Sequence, residues 1–162
     1  MPKPAYRRVL IKLSGEALLG SQPYGVDPDA CYKIAFSIKE LCQIGIQVGV
    51  VIGGGNIFRG IKATAAGMDR TPADHIGMLA TLINGISLQQ AFERVECESR
   101  IMTAIACHVM AEQLVSTKAI TGIPNLFASA TAMCSRLGST TTRSPGGLRI
   151  ARMPDKFLSS FT

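Results

Sequence analysis

Ile46-Gln47-Val48-Gly49-Val50-Val51-Ile52-Gly53-Gly54-Gly55-Asn56-Ile57-Phe58-Arg59-Gly60 decides the fold of this chain. The first seven residues read as a buried strand, and the strand runs directly into three glycines. Three glycines place no side chain between backbone and ligand, so several N–H groups can converge on one anion. Asn56 and Arg59 follow, and an arginine can make paired hydrogen bonds to phosphate oxygens. The stretch matches neither G-x-x-x-x-G-K-[ST] nor a G-x-G-x-x-G that opens a long helix. Read alone, it is a phosphate turn or an ordinary tight turn in about equal measure.

A second strand end lies near the N-terminus. Arg7-Arg8-Val9-Leu10-Ile11-Lys12-Leu13 is short, apolar and β-branched in its middle, and it leads into Ser14-Gly15-Glu16-Ala17-Leu18. Lys12 and Ser14 are two apart and share one side of an extended segment, and Gly15 frees the backbone to turn. An ammonium, a hydroxyl and a glycine N–H suit the outer phosphates of a nucleoside triphosphate. The competing reading is a solvent-facing strand-end lysine before a simple turn.

Between the two strands, Gly20-Ser21-Gln22-Pro23-Tyr24-Gly25 is a loop, and Asp27 before Pro28 reads as the N-cap of a helix that Gly45 ends. Thr71-Pro72-Ala73-Asp74 opens a long helix to about Arg94, with Thr71 and Asp74 spaced as a reciprocal cap. Ile76, Leu79, Ala80, Ile83, Ile86 and Phe92 are its core candidates. Arg100 to Ala106 reads as a third strand and Cys107 to about Lys118 as a further helix. Strands alternating with helices predict a three-layer α/β sandwich with a mainly parallel sheet. Ligands in such sheets collect at the carboxyl ends of the strands, where Lys12 and Gly53–Gly55 both lie.

Composition narrows the function classes. Hydrophobic residues make up 47% of 162 positions, enough for a globular domain with a core. No apolar run reaches the length of a membrane span, and no apolar signal core stands at the start. Five cysteines form no C-x-x-C and the two histidines are scattered. The expectation is reduced thiols in a cytoplasm and no protein-held metal. The net charge of +6 comes mostly from residues 121–162, with five Lys/Arg against one acid. No basic–aromatic comb marks a nucleic-acid surface.

Lys12–Leu18, Val50–Gly60 and Asp74-His75-Ile76-Gly77-Met78-Leu79-Ala80-Thr81, in this order, closely resemble the bacterial uridylate (UMP) kinases of the amino-acid-kinase superfamily. The resemblance runs from about Tyr6 to about Ile120. It implies an amino-acid-kinase-like fold that transfers the γ-phosphoryl group of ATP to UMP. It implies ATP contacts from Lys12, Leu13, Ser14, Gly15, Gly55 and Arg59, with Lys12 and Arg59 catalytic. UMP contacts fall on Gly54 and Asp74, so Asp74 carries a ribose role beside its capping one. Mg²⁺ would accompany ATP. The segment Gly20, Ser21, Gln22, Pro23, Tyr24, Gly25 matches in position the one used for activation by GTP, with UTP as inhibitor. The resemblance also implies a homohexamer. Carbamate and acetylglutamate kinases share the lysine-glycine start and a glycine-rich second turn, and form the related-enzyme alternative.

The family's downstream Gly-Thr-Gly-Asn-Pro and Lys-Ala-Thr-Lys-Val-Asp-Gly motifs do not occur here. Residues 1–120 therefore read as the N-terminal part of the nucleotide-binding domain and 121–162 as a divergent tail. The tail is an out-of-frame reading, a truncated copy or a genuine alternative ending. A truncated, catalytically impaired remnant that binds nucleotide or oligomerises is the second function reading. The tail is expected to pack poorly and to leave the sheet with an open edge.

Overall fold

The structure is a computed structural model, and it describes residues 6–113, 125–129 and 149–152. In chain order these hold β1 (Arg8–Leu13), a 3-10 turn (Gly15–Leu18), α1 (Pro28–Gln43), β2 (Gln47–Ile52), α2 (Gly60–Ala65), α3 (Arg70–Arg94), β3 (Arg100–Thr103), β4 (Glu112–Gln113), β5 (Asn125–Ser129) and β6 (Arg149–Arg152). The six strands form one sheet in the order β4-β3-β5-β2-β1-β6, and every pairing is parallel. This is the α/β architecture with a parallel sheet that the alternation of elements predicts.

Register explains the layers. Val9, Ile11 and Leu13 stand opposite Val48, Val50 and Ile52, so these side chains share one face. That face joins Cys31, Ile34, Ala35 and Ile38 of α1 and Leu82, Leu88, Ala91 and Phe92 of α3 in a single core. Leu10, Val51 and Met102 point the other way and are buried as well. Both faces are shielded, as an all-parallel sheet requires.

The local signals at α1 hold. Asp27 is its N-cap and accepts from the Asp29 N–H at 2.9 Å, with Pro28 opening the helix. Gly45 ends it in the left-handed region at φ 85°. Its N–H donates to the Cys42 carbonyl at 2.9 Å, and the Ile46 N–H donates to the Leu41 carbonyl at 3.2 Å. This doubled closure satisfies two end carbonyls and turns the chain straight into β2.

Four expectations are corrected. Helix α3 begins at Arg70 with Asp69 as N-cap, so Thr71 and Asp74 lie inside it and form no reciprocal cap. Pro72 is tolerated there because the first turn's N–H groups have no intrahelical partner in any case. Ala80 and Phe92 are core, but Ile76, Leu79, Ile83 and Ile86 are exposed. The helix expected from Cys107 does not form in the described part: residues 108–110 make a turn and Glu112–Gln113 pair with β3. Residues 114–120 of that reading lie outside the described residues. Lastly, the tail supplies two strands. β5 lies between β2 and β3, and β6 pairs with β1. Strands of five and four residues form here because each finds ladder partners on a neighbour, so no long apolar stripe is needed. The tail's remaining residues lie outside the described ones, and so does the expected marginal packing.

Three shielded thiols, Cys31 and Cys97 buried and Cys42 half-buried, give the fold a measurable alkaline limit. Burial, helped by the Asp27 charge, pushes the Cys31 thiol up to about 11. Burial pushes Cys42 up to about 12, reinforced by Cys97, with which it shares a hydrogen bond. Burial raises Cys97 too. The folded pKa lies above the unfolded value of about 9, so this contribution is complete below pH 9 and is lost as pH rises toward 11–12. Urea unfolding at pH 8, 9.5 and 11 should show a falling midpoint, and Cys31→Val should show a shallower fall.

Candidate nucleotide site

Parallel pairing of β1 with β2 brings both strand ends to one edge, with Leu13 opposite Ile52. Their turns then interlock. A Cβ on Gly15 would lie 2.3 Å from Asn56 Oδ1, 2.7 Å from the Gly53 carbonyl oxygen and 3.0 Å from the Gly55 nitrogen. Only glycine fits that approach. The Gly53 N–H donates to the Leu13 carbonyl at 3.1 Å, which extends the ladder into the turns.

The three glycines face different surroundings. Gly54 is pressed on α3, where a Cβ would lie 2.8 Å from Ala80 Cβ and 3.1 Å from both the Gly77 carbonyl oxygen and the Thr81 nitrogen. Gly55 has nothing within 4 Å of its Cβ position, so this side of the turn is open. Below the turn, the Ile57 and Phe58 N–H groups both donate to the Gly54 carbonyl, at 3.0 and 2.9 Å.

Cationic groups stand at the rim. Lys12 is exposed between buried Ile11 and Leu13, and Ser14 is exposed beside it. Ser14 Oγ accepts from the Glu16 N–H at 3.3 Å and starts the 3-10 turn. Arg59 Nε donates to the Gly55 carbonyl at 3.1 Å, and its Nη2 pairs with the Glu16 carboxylate. Both side chains of that pair are about half exposed, at 49% and 55%. An exposed pair of this kind is worth at most about 1 kcal/mol, so an incoming phosphate can displace Glu16 from the guanidinium.

Other positions read from sequence are placed less directly. The Leu13 side chain is core, leaving only backbone for a ligand contact. Asp74 is exposed and lies 3.7 Å from Arg70. It sits three residues before Gly77 and seven before Thr81, on the helical face that meets Gly54. In the loop, Gly20 through Tyr24 are exposed, and Gly25 is half-buried and bonded to Asn56. Among the described residues, no three His, Cys, Asp or Glu side chains group to hold a metal, and no helix is long and apolar enough to cross a membrane.

Sequence reasoning missed Asn84. It is fully buried in the middle of α3, donates to the Gly53 carbonyl at 2.7 Å, and exchanges hydrogen bonds with Asn56 at 2.7 and 2.9 Å. The available signal was an amide inside the apolar run Leu82-Ile83-Asn84-Gly85-Ile86. A buried amide must be bonded to something.

The sequence pattern described as the amino acid kinase family matches residues 7–137, beyond the point near Ile120 where the resemblance was expected to fade. A protein named uridylate kinase from Aeromonas hydrophila is 51% identical over 119 residues, covering 74% of this chain and 49% of that protein. One of the same name from Shewanella amazonensis is 56% identical over 104 residues, covering 64% and 43%. The chain thus spans about half the length of the curated relatives it matches. The crystal structure of UMP kinase from Bacillus anthracis superposes with a TM-score of 0.71 at 37% identity, over 78% of this chain and 53% of that one. A carbamate kinase from Giardia lamblia shares the fold at a TM-score of 0.52 and 14% identity, over 91% and 64%.

Proposed function

The chain belongs to the amino acid kinase family, and on that premise we propose that it carries the N-terminal part of a uridylate kinase, with contacts to both nucleotides. The reaction is reversible γ-phosphoryl transfer from ATP to UMP, giving ADP and UDP for UTP and CTP synthesis. The observation that carries this reading is the interlock of Gly15 with Gly53–Gly55, with Lys12 and Arg59 at its rim. Relatives named uridylate kinase at 51–56% identity support it over the carbamate and acetylglutamate kinases.

Moving a phosphoryl group between two polyanions needs alignment and charge stabilisation, with no covalent enzyme intermediate. Lys12 would meet the outer phosphates of ATP. Arg59 would leave Glu16 for a phosphate oxygen. Gly15 and Gly55 would offer backbone donors at close range, with Ser14 and Leu13 beside them. Gly54 and Asp74 would face UMP. Mg²⁺ enters as MgATP, held by the phosphates. GTP activation through Gly20–Gly25, UTP inhibition and a cytoplasmic location belong to the same reading. A coupled ADP-release assay on the 162-residue chain tests it, with UMP, carbamate and N-acetylglutamate as acceptors. Turnover with UMP alone is expected. Turnover with another acceptor alone would refute the assignment. MgATP binding without any turnover would mark the chain as a nucleotide-binding remnant.

Self-association is part of the proposal. Ile76, Leu79, Ile83 and Ile86 recur at three- and four-residue spacing and are 36–50% exposed. They form an apolar stripe on α3 opposite the face that packs on the sheet. Such a stripe fits the homohexamer of the family. Sedimentation should show an oligomer, and Leu79→Asp with Ile83→Asp should return it to monomer. A wild-type monomer at high concentration would remove this part.

A further inference from the structure

Asn56 and Asn84 hold three separate pieces of chain together. Asn84 Nδ2 donates to the Gly53 carbonyl at 2.7 Å and to Asn56 Oδ1 at 2.7 Å. Asn56 Nδ2 donates to Asn84 Oδ1 at 2.9 Å and to the Gly25 carbonyl at 2.7 Å. The Gly25 N–H closes the circuit on the Asn56 carbonyl at 3.1 Å. Asn84 is 0% exposed and Asn56 5%, so both amides are out of competition with water. In that setting each donor that loses its acceptor is costly, and the network acts as a unit. At the other end of the loop the Gln22 N–H donates to the Leu19 carbonyl at 3.0 Å and the Asp27 N–H to the Leu18 carbonyl at 2.7 Å. Gly20 packs so closely on Asp27 that an added Cβ would lie 1.8 Å from Oδ2.

We infer that the Asn56–Asn84 amide pair is a positioning device that locks the glycine turn and the Gly20–Gly25 loop into one unit. Asn84 is 0% exposed and bonds to the Gly53 carbonyl and Asn56, beneath the open rim. It acts by fixing the Gly53 carbonyl, which sets how the Gly54 and Gly55 N–H groups are presented. A displacement of Gly25 reaches Gly53 through two side chains. The inference rests on the nucleotide reading only for the purpose of the turn; the lock itself is a property of the free protein.

The test is amide hydrogen exchange on the full chain carrying Asn84→Asp, which keeps the shape and removes both donors. At neutral pH the introduced carboxylate would face the Gly53 carbonyl and Asn56 Oδ1. Protection at Gly25 and at residues 53–57 should fall together by about tenfold or more, while α1 and β1 keep theirs. As pH falls the introduced carboxyl, with a pKa raised by burial, regains a proton and one donor, so protection at both places should return. Asn56→Ser should give the same joint loss if Asn84→Asp does not fold. A loss spread evenly over all elements, a loss at 53–57 without Gly25, or no recovery at low pH would overturn the inference. Adding MgATP to the wild type separates the two readings. Unchanged exchange at 53–57 would count against the nucleotide site and leave the lock standing.

Discussion

Replacing Gly15 with valine is expected to break the site and weaken the fold together. Its Cβ alone would enter the space of Asn56 Oδ1, the Gly53 carbonyl and the Gly55 nitrogen, at 2.3, 2.7 and 3.0 Å. Two of those three are backbone, and Asn56 is itself held by Asn84 and Gly25, so none can swing aside. Overpacking of this kind costs about 1–3 kcal/mol. The upper end lowers Tm by roughly 6–12 °C in a domain this size. Gly55→Ala is the control, since its Cβ position meets nothing within 4 Å. It should melt like the wild type. Calorimetry on the three proteins checks the difference. A wild-type Tm for Gly15→Val would mean that the two turns do not interlock.

The second large effect separates binding from stability. Lys12→Ala removes an exposed ammonium, so unfolding should shift by no more than about 0.5 kcal/mol. If Lys12 stabilises phosphoryl transfer, kcat with UMP should fall on the order of 10²–10³-fold. MgATP affinity should fall in titration calorimetry whether or not the chain turns over. Unchanged affinity would return Lys12 to the status of a strand-end cation in solvent.

What the sequence made legible was local. Asp27-Pro28 and Gly45 bracket α1 because capping and left-handed closure depend on a few adjacent residues. β1 and β2 were legible because both are short apolar runs ending in turn residues. The cap of α3 was misplaced because Asp69 and Thr71 both precede Pro72 closely, and either is a good cap by type. The exposed stripe of α3 was partly read as core because periodicity does not say which of two apolar faces meets the sheet. The Asn56–Asn84 pair joins positions far apart in the chain, and no spacing rule reports such a contact. β5 was missed for a related reason. A five-residue strand earns its place through neighbours on both sides, and those neighbours are β2 and β3.

The place of β5 has a consequence for how the chain is made. Val48 pairs with Asn125, and Arg100 pairs with Leu126, so the middle of the sheet is supplied after both of its flanks. A growing chain that has just released β4 holds β2 and β3 apart, each with an unpaired edge. Contacts this distant in sequence are slow to form, because the loop entropy is lost before the ladder bonds are gained. During that interval the open slot is available to any extended segment, including the same segment of another chain. Synthesis rate and chaperone supply should therefore govern the soluble yield of this protein more than its final stability does.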